Sequence, residues 1–224
     1  MNQGPFIFVG IFFTMALSWY GFVFKPTLDL GRQAPVKLDG VVQLYPGDRP
    51  GLAQQGAEIY RANGCVVCHT QQARDAKDGS DKARGWGQRL TVPQDYLFDN
   101  PPQLGQVRVG PDLANFGTRS PDLKSQLLHL YAPRALVKGS VMPPYPYLFQ
   151  QRKLGPHPSP DALALSGKFA PPAGFEIVPT SQAYSLLAYL FSLRADVSLY
   201  EAPIPKPPTN GVAQAVEVIA PAVK

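Results

Sequence analysis

The only two cysteines in the chain, Cys65 and Cys68, stand two residues apart in "NGCVVCHTQQ" and are followed at once by His69. A disulfide across so short a gap restrains little of the unfolded chain, so the pair is a poor structural staple. A redox dithiol belongs at the end of a strand in a βαβ setting, and no alternating strand and helix pattern surrounds this one. A structural zinc takes four ligands, and beyond Cys65, Cys68 and His69 only His129 and His157 remain, with no second close-spaced pair. Covalent haem c uses all three residues in this order: two thiols add across the two vinyl groups of the porphyrin, and the next imidazole comes under the iron. The motif predicts one covalently attached haem c on Cys65 and Cys68, with His69 as its proximal iron ligand.

An electron carrier of this kind takes its second axial ligand from distant sequence. Of three methionines, Met1 starts the chain and Met15 lies in an apolar run, which leaves Met142 in "GSVMPPYPYLF". Thioether ligation opposite histidine raises the potential and suits electron transfer. His129, in a Leu-rich stretch, and His157, between prolines, are the rivals. Gly110 and Pro111 in "RVGPDLANFGTR" form a turn able to offer a backbone carbonyl to the free ring nitrogen of His69, the usual way of orienting a ligating histidine. Arg108, Arg119 and Arg134 are candidate partners for the haem propionates, because guanidinium binds carboxylate in a bidentate fork.

Residues 5–24, "PFIFVGIFFTMALSWYGFVF", carry no charge, and at about 1.5 Å per residue they cover a hydrocarbon core of roughly 30 Å. They read as a single membrane span with Trp19 and Tyr20 toward the interface. A cleaved secretory signal fits less well, since "MNQG" has no Lys or Arg and the apolar run continues past Ala16-Leu17-Ser18. Lys25, Arg32 and Lys37 after the span favour a cytoplasmic C-terminal side, but long domains translocate regardless of such charges. Haem c is attached on the extracytoplasmic side of bacterial membranes, and that chemistry decides the topology: a single-pass protein of the bacterial inner membrane, its haem domain periplasmic.

The 224 residues leave room for about one domain plus attachments. Twenty-five prolines imply many turns and extended segments and little sheet. The net charge of +5 is spread without a basic run, which argues against nucleic acid as a partner. The predicted plan is an anchor at 1–25, a linker or strap at 26–50, a haem domain at 51–195 and an extended Pro/Ala-rich tail at 196–224. Helices are predicted over 51–64, stopped by Gly64; over 121–131, capped by Ser120 with Pro121 first; and from a Thr180 or Ser181 cap, with Ala183, Leu186, Leu187, Leu190 and Phe191 on the buried stripe. The charged stretch 73–84 reads as a solvated loop, and 143–179, broken by prolines, as loops wrapping the surface.

Four blocks, "AEIYRANGCVVCHTQQ", "YLFDNPPQLGQVRVGPDLANFGTR", "LLHLYAPRAL" and "VMPPYPYL", occur in this order, followed by the "LLAYLFSL" helix. Together they closely resemble subunit II of cbb3-type cytochrome c oxidase, the membrane-anchored mono-haem cytochrome c of C-family haem-copper oxidases. The resemblance implies an all-α, class I cytochrome c-like domain on one N-terminal span. It implies haem on Cys65 and Cys68, iron held by His69 and Met142, and the Pro111 carbonyl serving His69. The implied partners are the oxygen-reducing catalytic subunit, other cytochrome c subunits and membrane lipid, with no bond chemistry on this chain itself. The 73–84 stretch, the 150–179 excursion and the tail depart from the family. The small subunit of a nitric oxide reductase shares the one-span, one-haem plan, and a tethered shuttle or haem sensor is the reading from another class.

Overall fold

A computed structural model describes residues 2–31, 33–38, 43–119 and 122–204. The uncharged N-terminal run forms helix α1, Gly4–Trp19, continues through a π-type turn at Tyr20–Phe24, and ends in α2, Lys25–Leu30. Pro26 explains the wide turn. It has no N–H and its ring crowds the carbonyl one turn back, so the ladder widens there, with the Lys25 N–H reaching Tyr20 O. Thr27 Oγ1 returns a bond to Val23 O at 2.6 Å, and Gly31, at φ +62°, closes the helix by donating to Thr27 O. Among the described residues, Gly4–Asp29 is the one helix long and apolar enough to cross a membrane, and none of it is buried within the chain. Arg32, part of the charge pattern after the span, lies outside the described residues.

Residues 34–38 and 43–49 lie against the rest of the chain. Strand β1, Val36–Lys37, pairs antiparallel with β2, Leu44–Tyr45. The Tyr45 hydroxyl donates to Asp95 Oδ1 at 2.5 Å, and Arg89 grips the same carboxylate with two N–H groups at 2.7 and 2.9 Å. Gln94 Nε2 donates to Ala34 O and Tyr45 O, and Arg49 pairs with Asp99. A small apolar cluster of Val92, Leu199 and Ala202 sits beside Tyr45, so part of the segment expected as tail is packed. Residues 205–224 lie outside the described residues.

The main core forms where α3, Gly51–Ala62, crosses α8, Ser181–Ser192. The helices meet backbone to backbone at Gly56, where a Cβ would lie 1.9 Å from Ser185 O and 2.7 Å from the Tyr189 Cβ. The Tyr60 and Tyr189 rings meet beside this crossing, tilted by 58° with centroids 5.4 Å apart. The stripe of α8 buries Ala183, Leu186, Leu187 and Leu190 as its periodicity predicts, with Phe191 half-buried. Tyr189 and Ser185 are buried as well, because α3 covers a second face of the helix. Thr180 stands at the N-cap, yet its hydroxyl donates to Leu148 O at 2.7 Å and not to the helix.

Two short helical turns, α4 at Cys65–Cys68 and α5 at Phe116–Arg119, lie on either side of the loop that holds His69. Helix α6, Leu123–Tyr131, is capped by Asp122, which accepts from Lys124 N and Ser125 N. The Ser120 cap and Pro121 start expected for it fall outside the described residues, and the regular turns begin two residues later than predicted. Leu127 and Leu130 point into the core. A last turn, α7 at Pro133–Leu136, follows.

Two expectations need correction. The chain is mainly helical but not all-α, since β3, Phe149–Lys153, pairs antiparallel with β4, Phe175–Pro179, inside the stretch expected to be loops. The pairing forms because Phe149, Ile177 and Val178 bury against the helices, and Arg152 and Ser159 N hold the Glu176 carboxylate at the sheet's side. The 73–84 stretch is not simply solvated either. Ala73 is buried, and Asp81 is only 2% exposed, bound by Arg74 N and Arg108.

Candidate functional site

Gly64, at φ +67°, turns the chain from α3 straight into the single turn α4. A glycine suits that left-handed position because no Cβ crowds it. One helical turn places residues three apart on the same face, so Cys65 and Cys68 share a side. His69 then leaves the helix in an extended conformation, its N–H still bonded to Cys65 O at 2.9 Å. Neither thiol is in a disulfide. Burial pushes the Cys65 thiol up to about 11, against a weaker pull down from the Tyr145 hydroxyl. A thiol so protonated is a poor redox nucleophile, which weighs against a dithiol catalyst.

A loop closes around His69. Gln71 N bonds Leu104 O, both Val109 N and Gly110 N bond Cys68 O at 3.0 and 2.9 Å, and Leu113 N bonds Thr70 O. His69 Nδ1 lies 2.9 Å from Pro111 O. A carbonyl only accepts, so Nδ1 carries the proton and Nε2 keeps its lone pair for a metal. Burial holds the His69 pKa below its usual value, aided by the charge of Arg119 and opposed by the Pro111 bond, so the ring is neutral at pH 7. Gly110 lies flat on the ring: a Cβ there would sit 2.3 Å from His69 Cε1. Gly105, at φ +72°, passes close to the His69 backbone, where a Cβ would sit 2.5 Å from His69 O.

Met142 is half-buried and packs on the same core cluster as Cys65, Val66 and Phe116. Its loop is closed by Arg134, whose Nε donates to Ser140 O at 3.0 Å, and by Tyr145 N, which bonds Leu130 O. His129 is half-buried on α6, its pKa lowered by burial and by His69, whereas His157 is exposed. The three arginines differ. Arg108 donates to Thr70, Gln72, Asp81 and Asp112. Arg134 is exposed and serves Ser140. Arg119 has a buried Nη2 with no partner, and burial lowers its pKa. Sequence reasoning passed over Asp112, which is fully buried and ties Thr70, Gln72 and Ala114 together through its two oxygens. The signal was an acid placed directly after the Gly110–Pro111 turn.

Two free thiols on one helical turn, a neutral imidazole with Nε2 unencumbered, a glycine pressed on that ring and an unpaired buried guanidinium nitrogen fit a haem. These features define a haem-binding domain behind an apolar N-terminal helix. The chain belongs to the family of the cytochrome c oxidase mono-haem subunit, FixO, whose family model matches residues 12–163. That is the family the ordered blocks resemble, and the match runs from within α1 through the Cys65–His69 motif, the 73–84 stretch and Met142. Comparison with curated proteins gives no match.

Proposed function

We propose that this chain is the electron-transfer subunit of a cbb3-type terminal oxidase, with one haem c bound covalently through Cys65 and Cys68. Its haem domain is class I cytochrome c-like, and the close crossing of α3 and α8 at Gly56 supports that reading. The domain faces the periplasm, where such attachment takes place, and hands electrons to the oxygen-reducing catalytic subunit. The observation that carries the proposal is the His69 ring held between Gly110 and the Pro111 carbonyl, protonated at Nδ1.

When bound, the haem supplies one-electron chemistry, its iron alternating between ferric and ferrous. The protein's part is placement and electrostatics. Pro111 O fixes the tautomer and orientation of His69, so Nε2 is the ligating atom. Met142 is the second ligand, and its thioether favours the ferrous state. Arg119 Nη2, buried and unpaired, is the natural partner for a propionate oxygen. Tyr145, Leu127 and Leu130 exclude water from the cluster on which Cys65 and Met142 pack.

The test is a membrane-extracted preparation of the natural complex. A covalent haem gives this chain a mass above that of the bare polypeptide and a ferrous c-type spectrum that carbon monoxide leaves almost unchanged. A catalytic subunit with a haem-copper centre co-purifies. A bare-polypeptide mass with no tetrapyrrole absorbance refutes the proposal, and a haem–nonhaem iron centre in the partner transfers the chain to a nitric oxide reductase.

A further inference from the structure

Arg108 directs its donors at three stretches of chain around His69. Nε donates to Thr70 Oγ1 at 2.7 Å, Nη1 to Asp81 Oδ1 at 2.5 Å, and Nη2 to Gln72 O at 2.6 Å and Asp112 Oδ2 at 3.4 Å. Its planar head lies 5.6 Å from the centre of the Trp86 ring. Thr70 follows His69 and Asp112 follows Pro111, so the two residues bracket the His69–Pro111 hydrogen bond. They are themselves joined, Thr70 Oγ1 donating to Asp112 Oδ2 at 2.5 Å, and both are sealed from solvent. With its proton given to Asp112, the Thr70 hydroxyl has lone pairs left for Arg108 Nε, and the arginine therefore sets its direction.

We propose that Arg108 is a positioning residue for the iron-ligating histidine, acting through Thr70 and Asp112, and that the 73–84 segment serves it by delivering Asp81. The inference rests on the reading of His69 as the haem ligand. A short, straight bond from Nδ1 to a carbonyl makes the imidazole a more basic ligand and favours ferric iron, so relaxing it raises the potential. Loss of the arginine's charge alone acts the other way, because a nearby cation favours the ferrous state. Lysine keeps the charge but presents one compact ammonium, which cannot span the four acceptors.

The experiment uses the full chain in its detergent-extracted complex, as wild type, Arg108→Lys, Arg108→Gln and Asp81→Asn. Two quantities are read: the midpoint potential, by spectroelectrochemical titration, and hydrogen exchange at the Val109 and Gly110 amides, which bond Cys68 O. The proposal expects Arg108→Lys to raise the potential with its charge intact. It expects exchange at the two amides to quicken by about tenfold or more in both arginine variants. Asp81→Asn, which leaves Arg108 in place and serves if the arginine variants do not accumulate, is expected to quicken the same amides by a smaller factor. A lysine variant identical to wild type in both readouts overturns the positioning role. So does a glutamine variant that only lowers the potential, and unchanged exchange in Asp81→Asn overturns the role of the 73–84 segment. A wild-type chain without haem refutes the ligand reading instead, and the exchange measurement still reads the clamp.

Discussion

Replacing Gly110 with alanine is the smallest change that presses on the site. The added methyl would start 2.3 Å from His69 Cε1, 2.8 Å from Nδ1 and 2.9 Å from Nε2. Carbon atoms in contact rest about 3.5–4.0 Å apart, so the ring or the 108–112 loop must retreat by more than about 1 Å. If the ring moves, the 2.9 Å bond to Pro111 O goes, and if the loop lifts, Val109 N and Gly110 N leave Cys68 O. Overpacking of this kind costs about 1–3 kcal/mol, and a lost hydrogen bond adds about 0.5–1.5 kcal/mol. The expected loss is about 1.5–4.5 kcal/mol, or roughly 10- to 2,000-fold in the folded-to-unfolded ratio. Urea unfolding followed by far-ultraviolet circular dichroism reads it, with an unchanged slope expected. The control is Gly155→Ala, whose Cβ meets nothing closer than His157 O at 3.7 Å and should cost no more than about 0.5 kcal/mol. A Gly110→Ala protein as stable as that control would refute the claim that the glycine is imposed by the histidine ring.

Gly56→Ala drives a methyl into Ser185 O at 1.9 Å and should cost about 3 kcal/mol, seen as a fall of about 6–12 °C in melting temperature. Met142→Ala should lower the midpoint potential and let ferrous iron bind carbon monoxide, and an unchanged potential would remove Met142 from the ligand set. Arg119→Gln should also lower the potential, because the buried charge that acts on His69 disfavours ferric iron, and titration of the haem checks it. Burial alone would raise the Asp81 carboxyl, but donors from Arg108 and Arg74 N hold it below its ordinary value. Its folded pKa is depressed, so the stability it contributes is present above the unfolded value of about 3.9 and is lost as pH falls through the folded one. Wild type should therefore outlast Asp81→Asn in urea near pH 6 and lose that margin progressively as pH is lowered below the ordinary carboxylate range, and a margin independent of pH would contradict the ion pair.

What could be read from the chain was local. Leu186, Leu187 and Leu190 announced α8 by period alone, Gly64 announced the stop before Cys65, and the Gly110–Pro111 turn pointed to a free carbonyl near His69. What could not be read depended on residues far apart in sequence. The strand Phe149–Lys153 has one apolar side chain in "FQQRK", so nothing in it alternates, and it becomes a strand only because Ile177 and Val178 arrive from the far side of a Pro-rich excursion. Arg108 could be named from its residue type only as a candidate propionate partner, and its bond to Asp81, 27 positions earlier, depends on a fold that no local pattern announces. Tyr189 stood off the leucine stripe and is nevertheless fully buried, since α3 comes close enough at Gly56 to cover a second face.

The clamp on the strap has a mechanical outcome. Gly31 ends the apolar helix, and Ala34 O is already held by Gln94 at 2.9 Å, so the two are separated by three chain steps, about 10 Å at full stretch. A domain tied that short cannot sweep between distant docking stations as one on a long flexible tether would. On the proposed reading of Gly4–Asp29 as a membrane anchor, such a domain would keep to one height above the bilayer, and its redox partners would have to come to that height.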